Sequence, residues 1–120
     1  MRGNVDERNR ALVTISVSNQ IDGQYGDVVA WIDTAFDGHL VFSASLIEQL
    51  GLETLVETEA ILADGSKVAL DTYICFLEWF GERMPVQVIA NEGKFPLLGT
   101  ELLVGRELSI SYVTKELHLD

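Results

Sequence analysis

The 120-residue chain is poor in cysteine, proline and positive charge. Its single cysteine, Cys75, excludes an intramolecular disulfide and any zinc site of the multi-cysteine kind. The two histidines, His39 and His118, stand far apart with no ligand spacing, so neither a metal nor a cofactor is expected. Lys and Arg number 8 against 19 Asp and Glu, a net charge of −11, and no basic run occurs. Nucleic-acid phosphates and anionic membrane surfaces are therefore poor partners for it. The longest apolar runs, such as Val28 to Ile32, fall far short of the ~20 residues of a membrane helix. Residues 1–10 are polar and lack the apolar stretch of a signal peptide, which points to a cytoplasmic, reducing compartment. With two prolines and no low-complexity segment there is no linker. Residues 1–10 read as a polar N-terminal tail and residues 11–120 as one domain.

What is present is alternation. Hydrophobic residues make up 48% of the chain, enough for a core without staples. Ala11, Val13, Ile15 and Val17 alternate with Leu12, Thr14, Ser16 and Ser18, the period of a strand. Asn19 to Gly26, with Asp22-Gly23, reads as a hairpin loop, and Asp27 to Ile32 as a buried return strand. Residues 43–50 are the clearest helix, with Ser43 or Ser45 as N-cap and Gly51 as the stop. Strands are predicted over Thr54 to Leu62, Lys67 to Phe80, Met84 to Ala90, Glu107 to Val113 and Lys115 to Leu119. Asn91 to Lys94 reads as a loop and Thr100 to Val104 as a second short helix. Many short strands, several hairpin turns and one or two short helices define an all-β barrel or sandwich.

Chemistry concentrates at Trp31-Ile32-Asp33-Thr34-Ala35-Phe36-Asp37-Gly38, where an apolar strand delivers a carboxylate onto a loop of small residues. A carboxylate at the end of a buried strand costs free energy unless it is paired or used. A plain turn, in which Asp caps, Thr braces and Gly closes, explains these residues equally well on their own.

The stretch resembles the active-site motif of the retropepsin-like aspartic proteases, small bacterial type: two hydrophobic residues, Asp, Ser or Thr, then Gly. Phe36-Asp37-Gly38-His39-Leu40 and Leu50-Gly51-Leu52 follow the course of the bacterial members. Leu97-Leu98-Gly99-Thr100-Glu101-Leu102-Leu103 is similar to the segment that crosses behind the family's catalytic loop. Ala63-Asp64-Gly65-Ser66 falls where the family has the tip of its flap hairpin. Together these cover roughly residues 11 to 119.

The resemblance implies a closed six-stranded acid-protease barrel, a single-lobe subunit that dimerises. It implies an aspartic endopeptidase, a peptide hydrolase with no metal and no cofactor. Asp33, Thr34 and Ala35 would be catalytic. Asp37, Ala63, Asp64 and Gly65 would face a peptide or protein substrate, and Leu98 and Gly99 would support the catalytic loop. In such an enzyme two aspartates share one proton, and the ionised one takes a proton from the attacking water. The chain holds no internal repeat, and Asp71-Thr72-Tyr73 sits in a strand pattern with a bulky Tyr in the small position. The second aspartate is thus expected from Asp33 of a second chain, in a homodimer that the resemblance implies is built partly from terminal strands, Leu117 to Asp120 first and the N-terminal segment second. One departure stands out: Ala35 replaces the usual Gly. It keeps an alternative open, a non-catalytic dimeric module of the same fold that binds peptides or proteins. His39 is expected at the surface or a pocket rim. Cys75, Trp31 and Trp79 are expected in the core, although either Trp could line a pocket.

Overall fold

The computed structural model describes residues 1–61, 63–93 and 95–120, with the side chains of 56–60 and 67–70 not included. Leu62, the expected last residue of one strand, and Lys94 lie outside the described residues. The elements are β1 (Arg2–Val5), β2 (Ala11–Ser18), β3 (Gly26–Ile32), β4 (Leu40–Ser43), α1 (Ala44–Leu50), β5 (Glu53–Ile61), β6 (Lys67–Trp79), β7 (Glu82–Asn91), β8 (Leu97–Leu98), a 3-10 turn (Thr100–Leu102), β9 (Leu108–Ser111) and β10 (Glu116–Leu119). The architecture is mostly β, as the alternation predicts.

The strands form one sheet in the order β5-β6-β7-β4-β8-β3-β2-β1-β10-β9, and an additional β6–β2 pairing closes β2, β3, β8, β4, β7 and β6 into a ring of six. Most neighbours are antiparallel, but β3 runs parallel to β8 and β4 parallel to β7. The first of these contacts brings the ends of β3 and β8 together in the ring. Leu40, Phe42, Leu77, Val88 and Leu98 of the ring strands are fully buried, and Leu117 and Leu119 of β10 join the same core. Truncating a side chain such as Phe42 to Ala would cost about 3–5 kcal/mol.

The 13-residue β6 serves two structures. Its second half pairs with β7 and touches β2, while its first five residues pair only with β5. The β5–β6 hairpin therefore projects from the ring, with Ala63, Asp64 and Gly65 exposed at its tip. Helix α1 is too short to persist alone. Ser43 Oγ accepts from the Leu46 N–H at 3.2 Å, and Gly51 stops the helix in the left-handed region at φ 66°. Ser43, not Ser45, is thus the cap. Ile47 is buried and pins the helix to the core.

Three expectations are revised by the pairing. Residues 1–10 are not a free tail: Arg2–Val5 forms β1, between β2 and β10, so the sheet begins before residue 11. The strand Asp27–Ile32 is buried on one face only, with Val29 and Trp31 turned outward. And β10, expected to pair with a partner subunit, has both edges filled within the chain, by β1 and by β9.

Candidate active site

Strand β3 sets the site. Its alternation buries Val28, Ala30 and Ile32, and the chain leaves the strand at Asp33. There the Asp33 N–H donates to the Leu98 carbonyl at 2.9 Å, extending the β3–β8 pairing by one residue. The Asp33 Oδ1 accepts the Ala35 N–H at 2.9 Å, and the Phe36 N–H donates to the Asp33 carbonyl at 3.2 Å. This is the aspartate-led turn that the residue types allow, and it fixes the half-buried carboxylate over its own loop. Thr34 and Ala35 are exposed at the loop's crest, as is Asp37.

The loop hangs on the segment behind it. Gly99 N–H donates to the His39 carbonyl at 2.8 Å, Thr100 N–H to the Phe36 carbonyl at 2.8 Å, and Glu101 N–H to the Gly38 carbonyl at 3.2 Å. Thr100 Oγ1 donates to the same Phe36 oxygen at 3.3 Å. Each of these loop carbonyls thereby finds a donor from residues 99–101. The approach is too close for a side chain at Gly99: a Cβ there would run into the Gly38 carbonyl and the Phe36 ring. Leu98 is fully buried, and Gly99 lies directly against the loop. His39 is partly buried, and its Nδ1 accepts the Gln87 N–H at 3.1 Å, which commits the ring to the scaffold.

A cavity of about 420 Å³ opens beside the loop, lined by Trp31, Ile32, Asp33, Thr34 and Leu97. It joins one carboxylate and one hydroxyl to apolar walls. Trp31, 38% exposed, stands on the outward face of β3 and meets Phe95 edge to face, ring centroids 6.3 Å apart. The Arg10 guanidinium lies over Phe95 at 4.2 Å and over Trp31 at 6.0 Å, a cation–π arrangement. Arg10 is itself held by Asp6, 2.7 Å away, which keeps the Asp6 carboxyl below the ordinary carboxylate range. Asp37 and the tip residues Ala63, Asp64 and Gly65 are not among the cavity's lining residues. At the tip, Asp64 Oδ1 accepts from both the Ser66 hydroxyl (2.6 Å) and the Ser66 N–H (2.9 Å), which lowers its pKa.

Leu97, Phe95 and Arg10 escape the sequence reading as site residues. The period-two pattern did carry a signal for Trp31, since it shares the face of Val29 opposite Val28 and Ala30. Trp79 and Cys75 are buried as expected. Asp71 is exposed on β6, next to buried Thr72, within a continuous strand and with no loop like that of Asp33. No cluster of metal-ligating side chains occurs among the described residues, nor any helix long and apolar enough to cross a membrane.

No family model and no curated protein matches the chain by sequence. The fold does match solved structures. A retropepsin-like aspartic protease from Rickettsia conorii superimposes with a TM-score of 0.68 at 13% identity, over 99% of this chain and 88% of that one. The EIAV protease complexed with the inhibitor HBY-793 superimposes with a TM-score of 0.55 at 12% identity, over 83% of this chain and 90% of that one. The fold of the chain is retropepsin-like.

Proposed function

We propose that the chain is one subunit of a homodimeric aspartic endopeptidase whose dyad is Asp33 from each of two copies. The observation that carries this reading is the placement of Asp33. It lies at the end of a strand, held by the Ala35 N–H and Leu98 carbonyl, and it lines an apolar cavity in a retropepsin-like fold.

The chemistry follows from bringing two such carboxyls together. Like charges at that separation cannot both ionise, so the pair holds one proton. The ionised aspartate accepts a proton from a bound water, and the water oxygen attacks the scissile carbonyl carbon. The protonated aspartate donates to the carbonyl oxygen. Collapse of the tetrahedral intermediate breaks the C–N bond as the amine takes a proton, with no covalent enzyme intermediate. The substrate lies as an added strand beneath the β5–β6 hairpin, whose tip residues Ala63, Asp64 and Gly65 meet it from above, with Asp37 at its flank. Alternate side chains enter pockets, one of them walled by Trp31 and Leu97.

The test is cleavage of a diverse peptide library between acid and neutral pH by wild type and Asp33→Asn. Cleavage by wild type alone, falling as pH rises past the dyad's upper apparent pKa, is expected. Cleavage retained in Asp33→Asn refutes the reading. Ala35 favours the second reading, a binding module of the same fold, because its methyl stands exposed at the crest beside Asp33. That reading expects peptide binding insensitive to Asp33→Asn and no turnover. Restored cleavage in Ala35→Gly would return the chain to the enzymes.

A further inference from the structure

We infer that the cavity between the β2–β3 loop and the end of α1 is a second binding site, one that takes a neutral saccharide. Gly26 lines it at the start of β3, whereas Asp33 follows the other end of that strand. With 7 residues in β3, the two lie roughly 23 Å apart. The cavity holds about 320 Å³, at the small end of the range for small-ligand sites, about 300–1,000 Å³. No residue lines both cavities, so binding here does not depend on the chemistry at Asp33.

The walls combine an apolar floor with three carboxamides. Val17 is buried and Leu50 half-buried, while Asn19 and Gln24 line the cavity from the loop and Gln49 from the helix. The Asn19 Nδ2 donates to the Gly51 carbonyl at 3.4 Å, which leaves its Oδ1 as an acceptor. The carboxamides of Gln24 and Gln49 hydrogen-bond to none of the described residues. Tyr25 is fixed in place: its hydroxyl donates to the Ile21 carbonyl at 2.9 Å, and the Arg83 guanidinium lies 4.6 Å over its ring. Gly26 points to a ligand. Its φ is not in the left-handed region, and a Cβ there would meet nothing within 4 Å. Neither turn geometry nor packing within the chain requires glycine at this position. A bare backbone on the cavity wall lets a ligand approach closely.

The lining selects by charge first. None of its residues is charged, and the flanking Asp27 and Glu48 are not among them. The net charge of −11 repels an anion, and the cavity offers a cation no carboxylate. A wholly apolar ligand would cover the carboxamides without pairing them, at a cost in free energy. What fits is an uncharged molecule with a polar rim and apolar faces. A pyranose ring has that shape. Its hydroxyls donate and accept around the edge, as each carboxamide does, and its C–H faces suit Val17, Leu50 and the Tyr25 ring. A peptide residue offers only one backbone donor and one acceptor. A sugar ring carries several hydroxyls in a comparable volume, enough for three grouped carboxamides.

Backbone amide shifts in two-dimensional NMR read binding without reference to activity. The probes are glucose, galactose and maltose, with glucuronate and glucosamine as charged counterparts and a blocked Gln-Gln dipeptide as a neutral amide. Saturable shifts at Gln24, Tyr25, Gly26 and Gln49 are expected from at least one neutral sugar, with both charged sugars roughly tenfold weaker or more. Gly26→Val fills the cavity and suits a strand, so it should abolish the shifts at its neighbours while Tm holds or rises. Gln49→Leu, on the exposed end of the helix, should raise Kd roughly tenfold. Circular dichroism checks that both variants fold, and Gln49→Leu carries the test alone if Gly26→Val does not. No saturable shift from any neutral sugar, or binding unchanged in either folded variant, overturns the site. Binding by the dipeptide alone, or by the charged sugars as tightly as the neutral ones, overturns the saccharide assignment.

Discussion

The backbone of Asp33 is tied to that of Leu98: the Asp33 N–H meets the Leu98 carbonyl at 2.9 Å, one step beyond the parallel pair Ile32–Leu98. The candidate catalytic carboxylate is thereby positioned by a segment 65 residues further along the chain, and the parallel β3–β8 pairing brings the two together. The same segment supplies the donors that hold the loop beyond Asp33.

Gly99→Ala is expected to break this arrangement, because the added methyl meets the Gly38 carbonyl and the Phe36 ring. Backbone cannot yield as a flexible side chain can, so the loss should reach about 2–3 kcal/mol or more. Urea unfolding measures it. An unchanged midpoint in the Gly99→Ala variant would show that the loop and its support are not packed as described.

Trp31 walls the cavity and is anchored by Phe95 and Arg10. In the proposed enzyme, Trp31→Ala should raise KM for peptides with a large apolar side chain roughly tenfold, with a smaller change in kcat. Peptides with small side chains at that position should lose less. Equal losses across all peptides would place Trp31 outside the pocket.

Cys75 is fully buried, and burial pushes its thiol up to about 12. The thiolate is the reactive form, so at neutral pH the folded protein should resist thiol reagents. Labelling should appear only as the chain unfolds, with its rate tracking denaturant. Rapid labelling of native protein would contradict the burial.

Asp6 carries a pH-dependent share of stability. Hydrogen bonds from the Arg10 side chain and backbone lower its pKa below the ordinary 3.8. A carboxyl depressed in the folded state stabilises it above the unfolded pKa, and the contribution is lost as pH falls through the folded value. Asp6→Asn should therefore lower Tm near neutral pH, with the gap to wild type closing in acid below that window. Thermal melts at both pH values check it, and a gap that widens in acid would reverse the sign.

The sequence announced what is local. Alternation located β2, turn formers marked the hairpins, and the Ser43…Gly51 frame bounded α1, whereas the unbroken apolar run of β3 hid its outward face. The motifs around Asp33 and Leu98-Gly99 singled out two segments that the structure brings together. What stayed hidden depends on pairing between distant residues. Strand β8 is two residues long and β1 and β4 four each, too short for a periodic pattern, and all exist because neighbours complete their hydrogen bonds. Arg2 faces His118, so nothing near either residue could reveal that β1 fills the edge of β10. The pocket wall was obscured for the same reason: Phe95 and Arg10 reach Trp31 only across the sheet.

The pairing of Arg2 with His118 also bears on how the molecule comes to be folded. Hairpins such as β6–β7 join residues close in sequence and can form early, whereas the β1–β10 ladder waits for the longest loop to close. During synthesis, β1 and β2 leave the ribosome well before β10 exists, with an edge of β1 open to whatever strand comes first. A nascent chain of this protein is therefore expected to lean on holdase chaperones until its last strand arrives, and truncation before Glu116 should yield aggregates, not a smaller folded domain.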